Sequence, residues 1–479
     1  MISRKLYTLL EQFTKYELTN FRKFLISPFF NENQELIALF DLLDHILRKD
    51  ADKRTEQECS KQYIWQQLFG QRPYNDAYMR RLSSDLVRMT QQYMAYKCFK
   101  KHPLNEPTSL LEAYNYPALN KHFVGLVRQT RLTQEKLGLR NAETHYNKHL
   151  IEYYCHLHLD QLGLKRKDFE NLEKSDYHLD CFYISKKLKT YCEALDYQNF
   201  FSHATNIQLF PQFLSYVEQG PYFDEPSVKV YYLVARMLQE PQKESWFQQA
   251  KDYLERHFNS FPLVELQSLY THLKNYCIDK RINNGHSEYF AELFSIYKTS
   301  LERELLFEKG LLAPNHYKNI ITVGLHIKEF DWVENFIQQY TPQLPTENQE
   351  NALNYNLAKV YFHQEEYEKV IEQLREVEYK NLVYALGGKL MLLKTYYELE
   401  EQSALDSLID SFRIYLRRNR QIARDVKQQY MNMLRFTKKL VSLPPYNRAA
   451  AAKLETQIQH CKAMTAKQWL LEKVGEMKG

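Results

Sequence analysis

Glycine is scarce for a chain of this size. There are twelve in 479 residues, where an average share of about 7% would supply roughly three times as many. Parallel α/β enzymes need glycine at phosphate-binding turns and at the ends of helices and strands, so the shortage argues against that class. The nucleotide and hydrolase patterns Gly-x-Gly-x-x-Gly, P-loop, Gly-x-Ser-x-Gly and His-Glu-x-x-His are all missing. The chain is therefore read as non-enzymatic and without a cofactor. Cysteine is sparse too: seven, at 59, 98, 155, 181, 192, 277 and 461, with no Cys-x-x-Cys. An odd number in a long chain reads as reduced thiols in the cytoplasm. Long apolar runs are lacking. The stretch Leu382 to Leu393 is interrupted by Lys389 and is too short to span a bilayer. The basic start, Met1 to Lys5, is followed by only Leu6 to Leu10 before Glu11, too short for a signal peptide. No membrane insertion is expected.

What the chain does have is tyrosine, 37 residues, within an aromatic share of 14%. That excludes disorder and suits helix pairs with wide interfaces. Apolar content of 44% and charged content of 26% are ordinary for a globular chain. No segment alternates with period two between turn signals, so almost no strand is expected and the fold class is all-α.

In chain order, residues 1–105 read as an N-terminal helical module. Thr14 with Glu17 is a capping box, Asn31 with Gln34 a further cap, and Thr55 with Glu58 opens a helix that ends at Gly70. Asn75 opens a long helix with Met79, Leu82, Leu86, Met89 and Tyr93 on one stripe. Residues 106–220 form a long-helix middle region, predicted as 121–136, 141–162, 168–192 and 197–218. Residues 221–441 hold helical hairpins, and 442–479, after Pro444-Pro445, a capping helix.

The hairpin region carries a repeat. Leu357, Ala358 and Tyr361 are followed by Tyr367, Val370, Ile371 and Leu374. Leu392, Leu393 and Tyr396 are followed by Leu405, Leu408 and Ile409. Upstream, Ile320, Ile321 and Gly324 precede Phe330, Val333, Phe336 and Ile337. Tyr361 to Tyr396 is 35 residues, close to a helical repeat of about 34. A helix pair cannot bury its apolar face alone and so stacks on the next. The run from Tyr361 to Glu372, and residues 318–417 as a whole, resemble a divergent tetratricopeptide repeat (TPR). Departures are Val370 for Ala, Asn354 for Trp and Glu365 for the usual turn Gly. The resemblance implies a right-handed α-solenoid following the N-terminal module, and a scaffold that binds a partner protein or peptide.

It also implies where. The inner face of the successive first helices would be Lys318, Asn319, Thr322, Tyr355, Asn356, Lys359, Phe362, Leu390, Met391, Lys394 and Tyr397. Their amides and cations are similar to a clamp for a terminal carboxylate, although Thr322 and Met391 stand where such a clamp has Asn and Arg. A second candidate is the basic run Arg413, Arg417, Arg418, Arg420, Arg424, Lys427, Arg435, Lys438 and Lys439, opposed only by Asp425. It would attract nucleic acid or an acidic peptide; its plain structural reading is a solvated outer face. The Gly70-x-x-Pro73 turn and the face Arg80, Ser84, Arg88 resemble a helix-turn-helix, which gives a nucleic-acid-associated regulator as the alternative function. No wing-like hairpin follows in 99–120. Finally, His145, His149, Glu152, His156 and Asp160 share one helix face. Imidazole and carboxylate together are metal-ligand chemistry, but neighbouring helices offer no Glu-x-x-His, so a hydrated surface stripe is the expectation, with the opposite face of Leu150, Tyr153, Tyr154 and Leu157 facing inward.

Overall fold

The computed structural model describes residues 4–49, 55, 58, 60–163, 169–201, 210–346, 349–375, 382–444 and 447–477. It is all-α. The helices are α1 Arg4–Glu11, α2 Lys15–Ile26, α3 Gln34–Leu47, α4 Lys61–Phe69, α5 Asp76–Lys101, α6 Asn105–Ala113, α7 Asn120–Leu137, α8 Ala142–Gln161, α9 Glu170–Phe201, α10 Phe210–Gln219, α11 Pro226–Gln239 and α12 Glu244–Arg256. They continue with α13 Leu263–Asn275, α14 Tyr289–Glu302, α15 Pro314–His326, α16 Phe330–Tyr340, α17 Gln349–His363, α18 Tyr367–Arg375, α19 Leu382–Glu398, α20 Gln402–Arg418, α21 Arg424–Val441, α22 Arg448–His460 and α23 Lys467–Glu476. The only strands among the described residues are two residues each, Phe307–Glu308 paired antiparallel with Leu311–Leu312. Two compact units form, one from Met1–Lys189, Leu209–Tyr231 and Asn259–Phe261, the other from Thr190–Gln208, Tyr232–Phe258 and Pro262–Gly479.

In the first unit α1 to α5 share one core. Leu6, Leu10, Phe21, Leu25, Phe40 and Leu86 are almost wholly buried in it, and Phe21 meets Phe40 edge-on at 4.9 Å. The Thr14–Glu17 capping box is formed in both directions. Two other starts differ from expectation. Asn33, not Asn31, caps α3 by accepting from the Glu35 N–H. Asn31 is buried instead, and its amide donates to the Leu25 and Asn33 carbonyls. Thr55 and Glu58 do exchange hydrogen bonds, but Ser60 caps α4. The break expected between 192 and 197 is absent: α9 continues to Phe201. Nothing from Glu193 to Asp196 opposes a helix, since no Pro or Gly intervenes.

In the second unit, helices from α14 to α21 each pack on the next in chain order, and α15 packs on α17 and α17 on α19. The positions are equivalent from hairpin to hairpin. Ile320, Ile321, Leu357, Ala358 and Leu393 lie inside the first helices, and Val333, Ile337, Val370, Leu374, Leu405 and Ile409 inside the second. The equivalence comes from the turns. Lys328, Glu365 and Glu400 each have positive φ, at 62°, 64° and 57°. The residue after each donates its N–H five residues back: Glu329 to Gly324, Glu366 to Tyr361 and Glu401 to Tyr396, at 3.0, 2.9 and 3.0 Å. This is a Schellman closure, in the same register in all three hairpins.

A non-glycine residue in that conformation costs about 1 kcal/mol. Glu365→Gly should therefore raise stability by about 0.5–1 kcal/mol, read as a higher midpoint in thermal unfolding. Gly324 differs from its equivalents Tyr361 and Tyr396 for a steric reason: a Cβ there would lie 2.4 Å from Val333 Cγ2 and 3.1 Å from Phe294 Cε2. Gly324→Ala should lower stability by about 1–3 kcal/mol in the same measurement.

Candidate functional site

The shared turn register fixes what each first helix presents. Counting two residues back from the Schellman acceptors Gly324, Tyr361 and Tyr396 gives Thr322, Lys359 and Lys394, one on each of α15, α17 and α19. Lys359 Nζ donates to Thr322 Oγ1 at 3.2 Å, linking two of these rungs. Lys318, Asn319 and Thr322 are exposed, while Lys359, Phe362, Lys394 and Tyr397 are half-buried. Three candidate residues point elsewhere. Met391 is buried in a cluster with Ala358, Val370 and Leu374. The Asn356 amide is buried and donates to the Ala352 carbonyl of its own helix. Tyr355 packs between α17 and α19, where its ring meets Tyr384 and its hydroxyl fills the space beside Gly387.

Burial lowers the Lys359 ammonium from its ordinary 10.5 to about 8, and the charge of Lys318 adds to the effect. Among the described residues no carboxylate lies within ion-pair reach of Lys318, Lys359 or Lys394. The third rung is covered by the end of the chain. Lys394 Nζ stands 5.4 Å from the centre of the Trp469 ring on α23, and Tyr397 meets Trp469 edge-on at 5.2 Å. Lys473 pairs with Glu398 at 2.9 Å and holds α23 there. The open part of the face is therefore on α15 and α17.

Sequence reasoning missed a further cation. Lys274 on α13 is only 5% exposed, and burial lowers it to about 8. With His272, His316 and Glu308 it lines a cleft of about 290 Å³. His272 Nδ1 faces Asp196 Oδ2 at 2.6 Å. No motif marks these positions. Their only signal was a lysine and a histidine on the apolar side of a helix.

The basic run divides. Arg413, Arg435, Lys438 and Lys439 line a cleft, joined by Lys453, which lies outside the run. Arg417, Arg418, Arg420, Arg424 and Lys427 do not line it. On α5, Arg80 pairs with Asp76 at 2.9 Å and Arg88 with Asp85 at 3.2 Å, so the helix-turn-helix-like face carries its own counter-ions.

The polar stripe on α8 departs in part from the expectation of a hydrated face: Asp160 is exposed and His156 half-buried, but His145 and Glu152 are buried. His145 is 2% exposed. Its Nδ1 lies 3.2 Å from His178 Nδ1 and its Nε2 3.5 Å from Glu225. His149 bonds to Ser175, and Glu152 pairs with Arg131 at 2.7 Å. It is Tyr153, on the supposed inner face, that is 40% exposed. The stripe turns inward because α9 and α7 supply polar partners for it. Among the described residues no group of three or more His, Cys, Asp or Glu could hold a metal ion, and no helix is long and apolar enough to cross a membrane. No disulfide joins the described cysteines; Cys59 lies outside the described residues.

Compared with protein-family models, with curated proteins and with solved structures, the chain returns no match.

Two pH-dependent outcomes follow. Lys359 holds its proton less firmly folded than unfolded, so its charge opposes folding in full below about pH 8 and ceases to as pH nears 10.5. Lys359→Met should stabilise the fold at pH 7 by on the order of 1 kcal/mol and flatten the alkaline rise in stability across that window. Glu225 behaves oppositely. Burial raises its pKa, but the His145 ring 3.5 Å away, the charge of Arg140 and the Tyr177 hydroxyl, which donates to it at 3.1 Å, outweigh that and hold it at about 2, against an ordinary 4.5. Its contribution is complete above pH 4.5 and fades as pH falls toward 2. Glu225→Gln should cost about 2–3 kcal/mol near neutrality, and its unfolding curve should lose the acid-side slope in that window.

Proposed function

We propose that the chain is a non-enzymatic scaffold of stacked TPR-like hairpins that binds an acidic, extended segment of a partner protein along α15 and α17. The observation that carries this reading is Lys359. It is a cation half-withdrawn from water, with a hydroxyl as its hydrogen-bond partner and a second cation, Lys318, as neighbour. A charge kept where folding alone disfavours it signals a partner of opposite sign. Thr322 and Asn319 stand beside it to bond a peptide backbone, and Phe362 offers an apolar ledge. The shared register of three turns supports the repeat reading, because equivalent residues then recur along one face. The nucleic-acid alternative gains nothing from α5, where Arg80 and Arg88 are paired to aspartates.

Affinity purification of the full chain from its native host, followed by mass spectrometry, tests this. The double variant Lys318→Glu, Lys359→Glu should lose an acidic partner that the wild type retains, and the wild-type complex should weaken with salt. Recovery of the same proteins with both forms would sink the proposal.

A further inference from the structure

The basic run that the peptide-binding reading leaves unused folds into a separate concavity in the second unit. Arg413 comes from α20, Arg435, Lys438 and Lys439 from α21, and Lys453 from α22; they surround a cleft of about 480 Å³. Leu443 and Leu454 form its floor, and no carboxylate lines it. Other cations of this chain have counter-ions: Arg22 has Asp41, Lys251 has Glu292, Lys473 has Glu398. Among the described residues Arg435, Lys438 and Lys453 have none. Arg413 reaches Asp410 only at 3.5 Å, and Lys439 donates to the neutral Gln457 amide at 2.7 Å. Five like charges around one hollow repel one another, and their summed field favours an anion there.

We propose that this cleft binds a compact polyphosphate, a small ligand with two or more adjacent phosphate groups. Two guanidinium forks can each take a phosphate through paired N–H donors, and three ammonium groups supply point charges between them. Five cations match several negative charges on one ligand better than a single carboxylate. The apolar floor accommodates a short carbon skeleton carrying the phosphates. The size favours a small molecule, since such sites run from about 300 to 1,000 Å³. A nucleic-acid strand would need a continuous basic track, and Arg417, Arg418, Arg420, Arg424 and Lys427 stand outside the cleft.

Inorganic tripolyphosphate is the probe, titrated calorimetrically into the full chain at about 0.15 M salt, where exposed charges are screened beyond about 8 Å. Two charge-matched variants are compared. Lys438→Glu with Lys453→Glu alters the cleft; Arg418→Glu with Arg420→Glu alters exposed positions outside it. Saturable binding to the wild type is expected, weakened at least about tenfold in the first variant and less than about twofold in the second, because only the first removes direct phosphate contacts. Phosphatidylcholine vesicles containing phosphatidylinositol bisphosphate, whose headgroup carries adjacent phosphates, distinguish the source of the phosphate. Flotation with these vesicles that tripolyphosphate competes away, and that the cleft variant loses, would assign it to a lipid headgroup in the same site. The proposal is overturned if the wild type shows no saturable binding. It is equally overturned if both variants weaken alike, or if a single-stranded oligonucleotide displaces the probe and is itself weakened alike by both.

Discussion

The hairpins α15–α16, α17–α18 and α19–α20 each reverse through one residue forced into left-handed backbone, and the chain places lysine or glutamate there: Lys328, Glu365 and Glu400. The rest of the local architecture depends on this constraint. A Schellman closure fixes which carbonyl ends the first helix, and so fixes the rotation of that helix relative to its partner. Once Gly324, Tyr361 and Tyr396 are set as acceptors, residues three and four positions earlier must face the second helix. Those are Ile320, Ile321, Leu357, Ala358, Leu392 and Leu393, and they are apolar. The residue two positions earlier then lies off that apolar stripe. One backbone angle, repeated, therefore produces both a continuous core and an aligned set of Thr322, Lys359 and Lys394. The same closure ends α14, where Glu304 has φ 56° and Leu305 donates to the Ser300 carbonyl at 2.8 Å. There the chain leaves in the short strand pair instead of a helix.

Much of this could be read from the residues. Period and punctuation located the hairpins because long amphipathic helices separated by short polar turns admit few other structures. The glycine shortage that argues against parallel α/β folds also leaves the turn geometry unmarked: Glu365 stands where the repeat has Gly, but a glutamate does not announce positive φ as glycine would. Cap choice was ambiguous where two asparagines lie two residues apart, and packing decided it by burying Asn31 and leaving Asn33 free to cap. The partial departure of α8 from its expected faces has a similar cause. A helix with polar groups on one face and tyrosines on the other is legible as two-faced, but not as to which face is covered. Tyrosine tolerates water at its hydroxyl end, and histidine tolerates burial when a partner such as Ser175 or Glu225 meets it. Those partners lie 26 and 80 residues along the chain from His149 and His145, beyond the reach of local pattern.

The candidate face was legible in position and less so in state. Sequence spacing put Lys318, Lys359 and Lys394 on successive first helices, and the coordinates place Lys318 and Lys359 together. Spacing could not show that α23 returns to cover Lys394 and Tyr397 with Trp469, since nothing local links residue 469 to residue 394. Nor could it show that Asn356 bonds into its own helix, a competition with the backbone open to any asparagine.

Two kinds of uncompensated cation remain, and their physics differs. Lys359 and Lys274 stand against desolvation. Each holds its proton less firmly than an ordinary lysine and gives it up near pH 8. Below that pH each carries a charge that burial disfavours, and an anion beside it would relieve that cost. The ring around Arg413, Arg435 and Lys453 stands instead against repulsion. Guanidinium groups do not give up their protons at any ordinary pH, so this field is permanent and relief comes only from a counter-charge. A permanent, concentrated field suits a ligand that is itself permanently and densely charged. The proton-dependent site suits a weaker, singly charged group repeated along an extended chain. The sequence alone shows one pool of lysine and arginine, and only burial and convergence in the fold separate it into these two chemistries.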